Sequence, residues 1–264
     1  MNFLTPRWTV ATTVSAAFSL REGGVSQGSY ASLNVGLHVG DDPQDVKENR
    51  RRLVESLDLP AAPRWLSQVH GTEVLRCIAD HNSDREASET EALPIADAAI
   101  TTEPNVVLAI QVADCLPVLL ASADGRVLAA AHAGWRGLAA GVIEATWAAM
   151  READPTLAPH RVHAWLGPCI GPAEFEVGPE VRETFVAAGD SPEAFTPNDQ
   201  GRWQADLAQL ARRRLTRCGI ESMTGGDWCT ASSPDVFFSH RRESRLGRAS
   251  GRMVALLWRR SVRL

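Results

Sequence analysis

The chain has 264 residues, 44% of them hydrophobic, and a formal net charge of −5. That is enough apolar material to bury a core without staples, and the charge balance supplies no general attraction to nucleic acid or to an anionic membrane. Five cysteines at irregular spacing argue against a secreted disulfide framework, and Lys47, the sole lysine, lies in an exposed-looking helical stretch, which sets Schiff-base chemistry aside.

Val14 to Phe18 reads as an early strand, followed by a Gly- and Ser-rich loop to Tyr30. Leu33, Val35, Leu37 and Val39 alternate with small and polar residues, which predicts an extended segment with Asn34 and His38 on the opposite face. Asp42 and Pro43 form a helix start, and the helix runs to about Leu57. Arg64 to Leu75 reads as two strands broken at His70-Gly71, and residues 79–93 as a mobile surface loop. A strand from Ala96 to Thr102 precedes the long apolar run Val106 to Ala121. That run reads as two buried strands with Asp114-Cys115 at their seam. Gln111, Asp114 and Pro117 interrupt it, so it is not a membrane span.

Asp124-Gly125 signals a hairpin turn into a third strand, Arg126 to Ala131, which ends at His132. A helix is predicted from Leu138 to Glu152, a strand from Arg161 to Leu166, and a helix from Pro179 to Ala188. Residues 189–202 read as a loop, Trp203 to Cys218 as a helix, and Met253 to Trp258 as the last strand. The stretches 225–230 and 237–242 read as short loop-and-strand units. Strands clustered in hairpins with helices between some of them predict an α+β fold. The expectation is a single domain over 1–264 with mixed, largely hairpin-built sheets packed with helices. No basic start followed by an apolar core opens the chain, so a cytoplasmic location is expected.

A buried carboxylate and thiol at the seam need a reason, because an unpaired buried carboxylate is costly. His70, just before Gly71, and His132, with small residues and Gly134 after it, complete a His/Cys/His set with Cys115. Those donors suit zinc, and three ligands with no obvious fourth favour a catalytic over a structural centre. Cys169 in its rigid Gly-Pro-Cys-Ile-Gly loop reads as an apolar filler, as do Cys77 and Cys218. Arg21, Arg50, Arg136 and Arg241 are candidate anion ligands.

Several long motifs resemble one family, the YfiH or laccase-domain proteins. They are Ser-Leu-Asn-Val-Gly-Leu-His-Val-Gly-Asp-Asp-Pro with Glu-Asn-Arg (32–50), Gln-Val-His-Gly (68–71), Ala-Asp-Cys-Leu-Pro (113–117) and Ala-Ala-His-Ala-Gly-Trp-Arg-Gly (130–137). Trp165-Leu-Gly-Pro-Cys-Ile-Gly-Pro and Phe237-Phe-Ser-His-Arg-Arg extend the likeness. The sequence departs from the family pattern at His240, where a Tyr is usual, and in a longer segment from Glu243 to Ser250.

The resemblance implies a YfiH-like fold and a catalytic zinc on His70, Cys115 and His132. It also implies phosphorolysis of adenosine, inosine and methylthioadenosine, with adenosine deaminase activity. For that chemistry Arg50 and Arg136 are expected to hold phosphate, Asn34 and His38 to contact substrate, and Asp114 to move protons or orient a ligand. The partners would be a purine nucleoside and phosphate, with neither nucleic acid nor membrane. Two alternatives follow from the same resemblance. One is editing of a peptidoglycan precursor by hydrolytic release of L-Ser from UDP-MurNAc-L-Ser; the other is a laccase-like copper polyphenol oxidase. Seven histidines without a His-x-His pair are too few for a multicopper cluster.

Overall fold

The computed structural model describes residues 1–79 and 92–261. Strands β1 (Phe3–Leu4) and β2 (Val14–Ser19) lead to helix α1 (Pro43–Ser56). Short strands β3 (Pro63–Arg64) and β4 (Val74–Arg76) precede β5 (Ala98–Thr101), β6 (Val107–Val112), β7 (Leu116–Ser122) and β8 (Leu128–Ala133). Helices α2 (Trp135–Ala140) and α3 (Val142–Ala153) follow, then β9 (Val162–Leu166), β10 (Glu176–Val177) and α4 (Pro179–Ala187). Strands β11 (Phe195–Pro197) and β12 (Trp203–Ala205), helix α5 (Leu207–Arg217), β13 (Ser222–Gly225), α6 (His240–Arg245) and β14 (Met253–Arg259) complete the chain.

Among the described residues these strands form three sheets, ordered β1-β2-β14-β6-β3, β13-β9-β7-β8-β5-β4 and β10-β12-β11. Parallel pairs (β3 with β6, β4 with β5, β13 with β9) sit among antiparallel ones, so the expected mixed α+β character is present. The two large sheets stack face to face. Leu108, Ile110 and Val112 of β6 meet Leu119 and Ala121 of β7 and Leu128 and Ala130 of β8 between them. The alternate residues of β7, Leu116, Val118 and Leu120, pack outward against α2, α3, α4 and α5 through Leu138, Ile143, Phe185 and Leu210. Val107 and Ala109 of β6, with Val254 and Leu256 of β14, pack outward against Leu53 of α1. A sheet covered on both faces reads as unbroken apolar sequence, which is why the run from Val106 to Ala121 has no polar alternation.

The structure corrects several expectations. The two strands of that run are not neighbours: β6 belongs to the five-stranded sheet and β7 to the six-stranded one, so Asp114-Cys115 is a crossover between sheets. Residues 32–39 are not extended; they fold into a compact loop ending in a 3-10 turn at Leu37–Val39, with Leu33 and Val35 buried and Leu37 exposed. Asn34 takes the Gly36 N–H on its own side chain at 2.9 Å, which diverts the backbone from strand pairing. In the predicted first half of Arg64–Leu75, only Pro63–Arg64 pairs regularly with β6.

The predicted helix from Leu138 begins earlier, at Trp135, and breaks at Gly141 (φ 101°). Trp203 opens a strand, because Asp206 caps α5 by accepting from the Gln209 N–H and so sets the helix start at Leu207. The loop of 189–202 contains β11, and residues 240–245 are helical, capped by Ser239. Most of the predicted mobile loop, residues 80–91, lies outside the described residues. Among the described residues no helix is long and apolar enough to cross a membrane.

Candidate metal centre

Cys115 lies where the chain has just crossed from β6 and is about to enter β7. His132 is on β8, directly opposite Pro117 of β7. His70 comes from the loop between β3 and β4 and adopts a left-handed backbone (φ 63°). The donor atoms of the three all lie within 4.8 Å of one another. Cys115 Sγ is 3.5 Å from His70 Nε2, and the two imidazoles meet edge to face with centroids 4.7 Å apart. Zn–S and Zn–N bonds of about 2.3 and 2.0–2.1 Å at a tetrahedral angle put sulfur and nitrogen roughly 3.5 Å apart. The set therefore fits a tetrahedral ion. Among the described residues no fourth His, Cys, Asp or Glu joins it, which leaves one position open.

Asp97, on the last step before β5, organises both histidines. Its fully buried carboxylate accepts the backbone N–H groups of Val69 (3.1 Å), His70 (2.9 Å) and Gly71 (2.7 Å) and pairs with His132 Nδ1 at 2.8 Å. The three N–H bonds hold His70 in a conformation that costs a non-glycine residue about 1–2 kcal/mol. The His132 bond fixes its tautomer and leaves Nε2 for a metal. Burial alone would push the Asp97 carboxyl up, but these bonds hold it at about 2.

Gln68 anchors the same loop from the other side. Its side chain accepts the Gln111 N–H at 2.8 Å and donates to the Gln111 carbonyl at 2.9 Å, continuing by side chain the pairing that β3 makes with β6 by backbone. Gly134 leaves room for the centre: a Cβ there would lie 2.6 Å from His70 Cδ2 and 3.0 Å from Cys115 Sγ.

The electrostatics favour a thiolate. Burial pushes the Cys115 thiol up, but the His132 charge and hydrogen bonds from His132 and His70 bring it down to about 6. Burial pushes His132 down, yet the Cys115 thiolate and Asp97 raise it to about 9. Cys169 is buried, and burial pushes its thiol well up, as suits an apolar filler.

The structure gives the other sequence candidates their places. Asp114 (φ 88°) is buried, and its carboxylate accepts from Thr230 Oγ1 (2.6 Å), Ser239 Oγ (3.0 Å) and the Arg241 N–H (2.6 Å). It ties the crossover to the start of α6. Arg50 Nε donates to the Val35 carbonyl at 3.0 Å and its guanidinium stacks 3.8 Å over Trp65. Its neighbour Asn49 donates to the carbonyls of Ser32 and Asn34, so the Glu-Asn-Arg stretch of α1 holds the 32–35 loop.

Asn34 is fully buried; its oxygen accepts from the N–H groups of Gly36 and Arg252, and its nitrogen donates to Asp41 at 2.9 Å. His38 is exposed, with its pKa lowered by partial burial and by Arg252 and Arg50 nearby. Arg136 is exposed in the first turn of α2, over the Trp135 ring at 4.4 Å. Arg21 and Arg241 spend hydrogen bonds on backbone carbonyls, of Ala31 and Pro234 and of Glu174 and Glu176.

Sequence reasoning missed Asp97 and Gln68. Asp97 had a signal, a lone carboxylate in the apolar stretch Ile95 to Ile100; Gln68 had none beyond its place in the motif.

A family model described as multi-copper polyphenol oxidoreductase laccase matches residues 15–260. The purine nucleoside phosphorylase YfiH of Escherichia coli K12 is 43% identical over 257 residues, covering 97% of this chain and 98% of that protein. A purine nucleoside phosphorylase of Pseudomonas aeruginosa is 46% identical over 258 residues, with the same coverage of 97% and 98%. Among solved structures, a Neisseria meningitidis protein superposes with a TM-score of 0.87 at 40% identity, covering 99% of this chain and 100% of that one. YlmD of Geobacillus stearothermophilus gives 0.86 at 31%, covering 95% and 93%.

Proposed function

The chain belongs to the YfiH-like laccase-domain family, and on that premise we propose that it is a zinc-dependent purine nucleoside phosphorylase. Its substrates would be adenosine, inosine and methylthioadenosine, with adenosine deaminase activity at the same centre. The observation that carries this reading is the open three-donor set of His70, Cys115 and His132. Zinc held there would supply a Lewis acid and a coordinated water of lowered pKa.

The chain's own residues do the rest. Asp97 orients both histidines, and Asp114 braces the crossover that carries Cys115. Arg50 and Arg136 hold phosphate as it attacks the sugar C1′ and the bond from C1′ to the base breaks. His38 is within electrostatic reach of Arg50 and would donate to the same ligand. Asn34 serves the substrate through the loop it fixes.

The test is product identification with metal-loaded protein and adenosine, with and without phosphate. Adenine and ribose 1-phosphate formed only with phosphate mark phosphorolysis; inosine marks deamination. Cys115→Ala should abolish both. No turnover by the wild type, or full turnover by Cys115→Ala, sinks the reading. Release of L-Ser from UDP-MurNAc-L-Ser in a parallel assay would put amide hydrolysis in its place. Copper is the second reading, favoured by the description of the matching family and by a donor set that soft copper also accepts. Stoichiometric copper with a blue absorption band would establish it over zinc.

A further inference from the structure

We propose that Arg252 and Gln111, with His38 and Arg50 beside them, form a subsite for a phosphoryl oxyanion next to the His70–Cys115–His132 set. Arg252 has its place from the fold. β14 runs antiparallel to β6 with Met253 opposite Val112, so Arg252, one residue earlier, comes level with Ala113 at the start of the crossover to Cys115. Its backbone N–H donates to Asn34 Oδ1 at 2.8 Å. Gly36 packs so closely on its stem that a Cβ there would lie 2.7 Å from Arg252 Cγ. The stem is thus fixed between the strand and the 32–39 loop.

The guanidinium is less well provided for. Nη1 donates to the carbonyls of Ser250 (2.8 Å) and Gly251 (3.2 Å), and Nε and Nη2 have no protein partner among the described residues. No carboxylate of the described residues ion-pairs with it, and Asp114, within electrostatic reach, is already taken by Thr230, Ser239 and Arg241. Burial lowers the Arg252 pKa, while the charges of Cys115 and Asp114 work against that shift. A partly desolvated cation is costly until an anion joins it, and a phosphoryl group offers charge-assisted bonds to a guanidinium edge.

Gln111 supplies the second, independent observation. Val107 and Ala109 face α1 together with Val254 and Leu256, so strand alternation puts Gln111 on that same face, diagonal to Arg252. The residue is 6% exposed, and its Oε1 is buried with no hydrogen-bond partner. A buried amide oxygen without a partner is rare in native proteins and calls for a donor, which the hydroxyl of monohydrogen phosphate or of a sugar supplies. An amide offers a donor to a phosphoryl oxygen and an acceptor to a neighbouring hydroxyl. Val35 joins the two arginines, its N–H donating to the Arg252 carbonyl at 3.1 Å and its carbonyl accepting from Arg50 Nε at 3.0 Å, and both charges lower the His38 pKa.

The oxyanion has two chemical sources: free phosphate, or the diphosphate of a nucleotide sugar. The subsite depends on the phosphorylase reading for its place in the reaction and not for its capacity to bind. Calorimetric titration of metal-loaded wild type, Arg252→Gln and Arg252→Lys with inorganic phosphate, and separately with UDP, separates these. Wild type should bind, Arg252→Gln should weaken binding at least about tenfold, and Arg252→Lys should recover part of it, with metal content and melting unchanged. Phosphate bound as well as or better than UDP assigns the site to free phosphate. UDP bound at least tenfold more tightly, and lost in Arg252→Gln, assigns it to the diphosphate.

Arg252→Gln with wild-type affinity, or a wild type that binds neither probe, overturns the proposal. Should Arg252→Gln not fold, Gln111→Leu decides. It keeps the volume and removes the amide, so weakened phosphate binding is expected and unchanged affinity counts against the subsite. If the variants lose phosphate while the wild type shows no phosphorolysis, the subsite stands and the phosphorylase reading falls.

Discussion

Asp97 sits behind the donor set and grips both of its histidines. A carboxylate is acceptor-only, so its two oxygens can serve the three backbone N–H groups of residues 69–71 and the His132 imidazole together. An amide has a single acceptor oxygen and would turn N–H against N–H. Asp97→Asn should therefore weaken zinc binding about 10–100-fold, as removal of an orienting partner does. Competition against a chromophoric chelator measures this, and wild-type affinity in the variant would remove Asp97 from its orienting role. The three donors themselves were legible in the sequence, because Cys and His at strand ends beside small residues are unusual. The split of work between two buried carboxylates was not. Asp114 drew notice as the neighbour of Cys115, yet its oxygens face Thr230, Ser239 and Arg241. Burial cost predicts that each carboxylate has partners, and only the three-dimensional register says which.

The break between α2 and α3 keeps the His132-Ala-Gly-Trp stretch close to the centre while letting α3 lie along the six-stranded sheet. Gly141 makes the break with a left-handed backbone, ending α2 through an N–H shared by the Gly137 and Leu138 carbonyls. Gly141→Ala should cost about 1–2 kcal/mol. That corresponds to a melting temperature lower by about 2–8 °C, with zinc content unchanged. Calorimetry checks it, and a variant as stable as wild type would show that the turn tolerates a Cβ. The apolar stripe from Leu138 to Met150 concealed this break, since both helices feed the same core; the glycine inside the stripe was the signal. Strands with apolar runs were legible for a similar reason, their burial on both faces. Their partners were not: β14 pairs with β2 and β6 from the far end of the chain, and nothing local in its sequence specifies that register.

At the scale of the whole molecule, the centre sits where the chain crosses from one large sheet to the other. Cys115 ends the crossover from the five-stranded sheet, one residue before β7, which pairs with β8 and His132 in the six-stranded one. Attraction between the Cys115 thiolate and the His132 imidazolium therefore helps hold the end of the crossover against the β7–β8 pair in metal-free protein, and its pH dependence has a definite sign. The Cys115 pKa is lowered to about 6, so its contribution is full above the ordinary thiol value and is lost as pH falls through about 6. The His132 pKa is raised to about 9, so its contribution is full below the ordinary imidazole value and is lost as pH rises through about 9. One attraction underlies both shifts, so it counts once, and it operates between those two limits. Chelator-treated wild type should melt highest between about pH 6 and 9 and lose stability on either side. In Cys115→Ser the acid limb near 6 should disappear. The alkaline limb should also move down, because His132 then keeps only Asp97 as its counter-charge. A wild-type melting curve with no limb at either end, or a Cys115→Ser profile that overlays it, would mean that this pair does not stabilise the metal-free fold.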